Sequence, residues 1–174
     1  MMAGHPGLPS DGNRAEAYNL INLPFGVFVG ENDNAYDRNK SALAWKQRLE
    51  DLQLKEVSLY NEDMAMSMLS FVPYEHRVKL YDNKGHWMDN EEKENLRWMS
   101  ACLRNPWPKK IVWQQDDVFN HRFYWLQLPK KYDNTSDRKR KKPISVTVVG
   151  PKICVRCPYD RINILLSDKL INLD

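Results

Sequence analysis

Two short stretches of this sequence put residues suited to proton transfer where a fold could bring them together. Val29-Gly30-Glu31-Asn32-Asp33 sets an acid just past an apolar run, and Asn83-Lys84-Gly85-His86-Trp87 sets a histidine just past a second one. Open α/β sheets build their sites at the C-terminal ends of strands. An acid and a histidine on adjacent strand ends can meet there. The Asp33 carboxylate would accept an N–H from His86 and fix its tautomer, leaving the other ring nitrogen to act as a general base. Each residue also has a plainer job. Asp33 can satisfy turn N–H groups, and His86 can be a structural turn histidine. Asp37 is a second acid within reach, better suited to capping the helix that follows.

The other chemical candidates are weaker. Cys154-Val155-Arg156-Cys157 has the spacing of half a zinc site. Four ligands are needed, no second Cys/His pair lies near, and alternation puts the two thiols on opposite faces of a strand. No metal and no cofactor is expected. His121 reads as a hydrogen-bonded edge residue, while His5 and His76 carry no signal. Met64, Met66 and Met68 read as packing filler rather than a binding surface. Arg138-Lys139-Arg140-Lys141-Lys142 could contact phosphates or act as a nuclear signal, but polar and acidic neighbours favour a solvated loop.

The elements that must position Asp33 and His86 follow from periodicity. Phe25-Gly26-Val27-Phe28-Val29 is a continuous apolar run, as in a parallel strand buried on both faces. Ala42, Trp45, Leu49 and Leu52 recur at helical spacing, which predicts a helix over 39–53, capped by Asp37 or Asn39. The stretch 54–73 is ambiguous. Residues 76–81 alternate and read as a strand, followed by the turn Asp82-Asn83-Lys84-Gly85. A second helix is predicted over 91–103, with Glu91, Glu92 and Glu94 near its positive end. Asn105-Pro106-Trp107-Pro108 stops it. Beyond 108 the period becomes two, with strands at 111–113, 123–128, 144–149, 153–156 and 162–166, and a basic loop at 130–142. The expected architecture is an α/β part over 1–108 and a small antiparallel β extension over 109–174.

Two parallel strands and two helices cannot cover both faces and both edges of a sheet. One edge would stay open and apolar. At the other end, Leu170 to Leu173 read as the start of a return strand without a partner. The chain therefore reads as a piece of something larger.

Composition narrows the classes. The 174 residues carry 26 Lys+Arg and 23 Asp+Glu, a net charge of +3, which does not point to a nucleic-acid or membrane partner. At 42% hydrophobic and 28% charged, the chain is globular rather than disordered. No apolar run could cross a bilayer, and the N-terminus has neither a basic nor an apolar signal region; this leaves the compartment unknown, with the cytoplasm favoured. The three cysteines are too few for a disulfide framework.

Gly30-x-x-Asp33, a helix, a strand and then Gly85-His86 resemble the C-terminal half of an α/β-hydrolase, where the acid precedes the histidine. The likeness is to serine esterases and peptidases of the prolyl-oligopeptidase and polyhydroxybutyrate-depolymerase-like kind. Gly85-His86-Trp87-Met88-Asp89, Phe123-Tyr124-Trp125-Leu126 and the stretch from Leu165 to Leu173 are similar to members with a C-terminal β extension. The resemblance implies an incomplete α/β-hydrolase half, with Asp33 and His86 as acid and base of a triad. It also implies a Ser nucleophile on a Gly-x-Ser-x-Gly elbow upstream of the acid. None of the nine serines here has those flanking glycines. Met1 to Pro6 resembles the segment soon after the nucleophile helix. The expectation is a serine-hydrolase fragment, inactive alone, that would take an ester or peptide substrate only if the missing half were supplied. Two alternatives stand beside it. One is a non-catalytic interaction module that pairs or self-associates through its open sheet edge. The other is a longer gene product, tested by reading upstream of Met1 for the elbow.

Overall fold

A computed structural model describes residues 17–63, 72–115, 120–132 and 142–172. His5, Met64, Met66, Met68 and the basic run at 138–141 lie outside them. Helix and strand are mixed, with one parallel sheet and two antiparallel sheets. The chain forms two compact units, Met1–Leu103 and Arg104–Asp174, dividing slightly ahead of the boundary expected at 108. Among the described residues no helix is long and apolar enough to cross a membrane.

The first unit is a strand-helix-strand element followed by a second helix. β1 (Phe25–Gly30) pairs in parallel with β2 (His76–Tyr81), in a register that sets Phe25 beside His76 and Gly30 beside Tyr81. The two strands therefore end level. α1 (Arg38–Asp63) connects them and packs on both. Ala42, Trp45, Leu49 and Leu52 form its buried stripe, and the Trp45 ring sits 5.2 Å from that of Phe25. The helix runs ten residues past the end predicted at 53. Its buried stripe stops at Leu52, while Leu54, Val57 and Leu59 are exposed. Helix propensity carries the backbone on, because Leu54 to Asp63 contains no Gly or Pro. α2 (Lys93–Ala101) is shorter than the predicted 91–103. Its Asn95 is buried and donates its side-chain N–H to the Tyr81 hydroxyl, while Arg77 donates to Asn95 Oδ1 at 3.4 Å. Buried amides need such partners, so this contact fixes α2 on β2.

The second unit is antiparallel. β3 (Lys110–Trp113), β6 (Ile144–Val149) and β7 (Lys152–Arg156) make one sheet, with β6 central. β4 (Arg122–Phe123), β5 (Leu126–Gln127) and β8 (Asn163–Ile164) make the other. Trp113, Trp125, Leu126, Ile144, Val146 and Leu170 form the centre of its core. Two corrections arise here. The predicted strand 123–128 is a tight hairpin, with Phe123 paired to Leu126 across Tyr124-Trp125. Tyr124 takes the left-handed conformation at φ 52°. No Gly or Asn announces that turn. It is held by burial of Trp125, whose indole donates to the Pro108 carbonyl at 3.0 Å. The return strand expected from Leu170 is instead a turn. The N–H groups of Leu170 and Ile171 both donate to the Ser167 carbonyl, at 2.8 and 3.1 Å. Leu170 is buried in the core, and Lys109 donates to its carbonyl. Leu173 lies outside the described residues.

Candidate functional site

Asp33 follows β1 by three residues and His86 follows β2 by five. Because the strands are parallel neighbours that end level, both loops leave the same end of the sheet. The loops are then joined backbone to backbone. Glu31 N–H donates to the Tyr81 carbonyl at 2.9 Å, and Asn32 N–H to the Lys84 carbonyl at 2.8 Å. Asn83 N–H donates to the Glu31 carboxylate at 3.2 Å. Asn83 itself is left-handed at φ 58°, a conformation asparagine accepts more readily than most residues.

Gly30 is what lets the loops approach. A Cβ there would overlap the carbonyl oxygens of Lys84 and Gly85 and lie 2.6 Å from the Lys84 carbonyl carbon. These are backbone atoms, which cannot swing aside. Gly85, beside the histidine in the sequence, has open space around it. The motif glycine with a steric reason is therefore the one on the acid's side.

Asp33 and His86 meet. His86 Nδ1 lies 3.0 Å from Asp33 Oδ2. Asp33 is 5% exposed, whereas the His86 side chain is 68% exposed. Arg38, the first residue of α1, completes the cluster. Its Nη1 donates to Asp33 Oδ1 at 3.0 Å and lies 3.2 Å from His86 Nδ1. Nδ1 cannot both donate to Asp33 and accept from Arg38. A carboxylate is acceptor-only, and Arg38 already has Oδ1 to donate to, so the proton belongs on Nδ1. Nε2 is then left with its lone pair.

Burial of Asp33 opposes its ionisation. Hydrogen bonds from His86 and Arg38, together with the positive charge of Arg38, outweigh that burial and hold the carboxyl below its ordinary value of 3.8. The acid is thus a fixed anion at neutral pH. Lys84 pairs with Asp89 and Glu91, both at 2.8 Å, and these contacts brace the turn that carries His86. They also raise the Lys84 pKa well above that of a free lysine.

Arg38 and Asn39 carry no signal in the sequence that points to this site. Arg38 sits five residues after Asp33, across a loop-to-helix junction, so no helical pairing rule applies. Asn39 donates its side-chain N–H to the Glu31 carbonyl at 2.9 Å and to Asn34 Oδ1 at 2.8 Å, and its backbone N–H to the Asp33 carbonyl at 3.3 Å. It pins the acid's loop to the start of α1. Asp37, the second candidate acid, pairs with Lys40 at 2.8 Å. His121 Nδ1 lies 3.3 Å from the Leu128 carbonyl, at the open end of the β4–β5 hairpin. His76 Nδ1 lies 2.8 Å from the Tyr74 carbonyl.

Cys102, Cys154 and Cys157 form no disulfide. Among the described residues no group of His, Cys, Asp and Glu is arranged to hold a metal ion. Two aromatic rings adjoin the dyad in sequence and are almost fully exposed, Tyr36 at 82% and Trp87 at 84%. Tyr36 faces the Arg38 guanidinium at 5.3 Å.

Comparison of the chain with protein-family models, with curated proteins and with solved structures gives no match.

Proposed function

We propose that Asp33 and His86 are the acid and base of a serine-hydrolase triad, carried on the C-terminal portion of an α/β-hydrolase sheet. The observation that carries this reading is the 3.0 Å contact between Asp33 Oδ2 and His86 Nδ1 at the level ends of two parallel strands. A carboxylate-held imidazole with an unprotonated Nε2 is the arrangement that withdraws a proton from a serine hydroxyl and returns it to a leaving group. The substrate class is an ester or amide. Tyr36 and Trp87 offer apolar surface to an organic group beside His86.

The third corner of the triad is not among these 174 residues, which contain no Gly-x-Ser-x-Gly run. Triad members act as a unit, so acid and base alone leave acyl transfer without its nucleophile. The purified chain is therefore expected not to react with a fluorophosphonate probe. The same protein captured from its native source with an antibody to this chain is expected to label on a serine in another segment or partner. Labelling of the purified chain, or no labelling of the native material, would contradict the reading.

A second reading, a non-catalytic interaction module, is favoured by one observation. Among the described residues β1 and β2 pair only with each other, so each keeps an outer edge. Such edges recruit strands from other chains. Sedimentation would reveal self-association through this edge. A monomer that also captures no partner counts against it.

A further inference from the structure

The net charge of +3 conceals a division. Residues 1–103 carry 11 Lys+Arg and 16 Asp+Glu, a charge of −5; residues 104–174 carry 15 and 7, a charge of +8. Half of that excess lies in the run at 138–141; without its four cations the unit still carries 11 Lys+Arg against 7 Asp+Glu, a charge of +4.

The sheet register collects part of this charge on one face. Thr147 is paired with Lys110 on one side and with Cys154 on the other, and Ser145 is paired with Arg156. Directly paired residues share a face, so Lys110, Lys152 and Arg156 lie on one side of the sheet with the hydroxyls of Ser145 and Thr147, around the buried Val112 and the exposed Val149. The opposite side carries the core residues Ile111 and Val146. None of the three strands contains an acid. Lys152 and Arg156 are exposed on the outer strand, and no acid among the described residues pairs with either.

We propose that this face binds the phosphate backbone of a nucleic-acid duplex without reading its sequence. Lys, Arg, Ser and Thr are the side chains that contact phosphate oxygens. Lys152 and Arg156 are four strand steps apart, about 13 Å. Over that length a duplex carries about eight charges. Single strands are disfavoured because binding them uses exposed aromatic rings for stacking, and no described Trp, Tyr or Phe of this unit is among the exposed large side chains. A membrane surface is disfavoured because, among the described residues of the unit, the one helical segment is the single turn Lys130–Tyr132, too short to insert an apolar face. The proposal is independent of the Asp33–His86 reading.

The test is fluorescence anisotropy of a labelled, mixed-sequence 20-base-pair DNA duplex titrated with the full chain. With one phosphate neutralised by each of the three cations of the face, affinity is expected to fall roughly 40-fold between 50 and 200 mM NaCl. Changing Lys152→Gln and Arg156→Gln together is expected to weaken binding about tenfold or more. The control pair Lys55→Gln and Lys93→Gln, exposed cations of the other unit, is expected to leave it unchanged. Should the first pair fail to fold, the salt slope of the unaltered chain decides. No binding at 50 mM salt, a flat salt dependence, or full binding by a folded Lys152/Arg156 variant would overturn the proposal. Binding to phosphatidylserine vesicles but not to the duplex would overturn it in favour of a membrane.

Discussion

Gly30→Ala is expected to be the most damaging single-methyl change in the strand-helix-strand unit, with a loss of about 3 kcal/mol or more. The added Cβ would overlap the backbone of Lys84 and Gly85. Relief requires the whole 83–86 turn to move away from β1. That movement would break the Asn32 to Lys84 hydrogen bond and carry His86 off Asp33. Gly85→Ala is the matched control, because its Cβ meets nothing within 4 Å and its φ is not left-handed. It is expected to fall within about 0.5 kcal/mol of the unaltered chain. Urea unfolding of the two variants checks both values. Equal stabilities would mean that the two loops do not pack as described.

The second large effect concerns Asp33. Asp33→Ala removes the shared acceptor of Arg38 and His86 and is expected to cost about 2 kcal/mol at neutral pH. The cost is also expected to depend on pH in a defined direction. The folded carboxyl titrates below the ordinary 3.8 of the unfolded chain. Its contribution is therefore complete above that value. Below it the unfolded chain takes up a proton first, and the contribution shrinks until the folded carboxyl is protonated too. The stability gap between the unaltered chain and Asp33→Ala should be widest at neutral pH and should narrow as pH drops below 3.8. A gap that is constant between pH 7 and about pH 3 would show that Asp33 is not held as an anion by its neighbours.

The chain order of the dyad was legible because strand ends and turn residues are marked by local composition. Val29 is followed by Gly30 and a polar stretch, and Tyr81 by Asp82-Asn83. These signals place the acid and the histidine but say nothing of what else reaches them. Arg38 and Asn39 arrive through the angle at which α1 leaves the loop, which is set by tertiary packing. The significance of Gly30 over Gly85 was likewise hidden, because it depends on the approach of a loop more than fifty residues away. In the antiparallel unit, alternation gave β3, β6 and β7 nearly to the residue. It failed at Tyr124, where burial of Trp125 forces a turn that no turn residue marks. It failed again at Leu170, where one buried leucine in a turn looks the same as one in a strand. The charge division was invisible in the net charge, because the two units nearly cancel.

The protonation pattern of the His86 imidazole tests the acid–base pair most directly. Long-range proton–nitrogen correlation spectra of the chain labelled with nitrogen-15 distinguish the two neutral tautomers. The geometry calls for the proton on Nδ1, donated to Asp33, with Nε2 bare, and for loss of that preference in Asp33→Ala. A proton on Nε2, with Nδ1 accepting from Arg38 across 3.2 Å, would contradict it. His86 would then be a ligand of the arginine, with no free nitrogen to serve as a base.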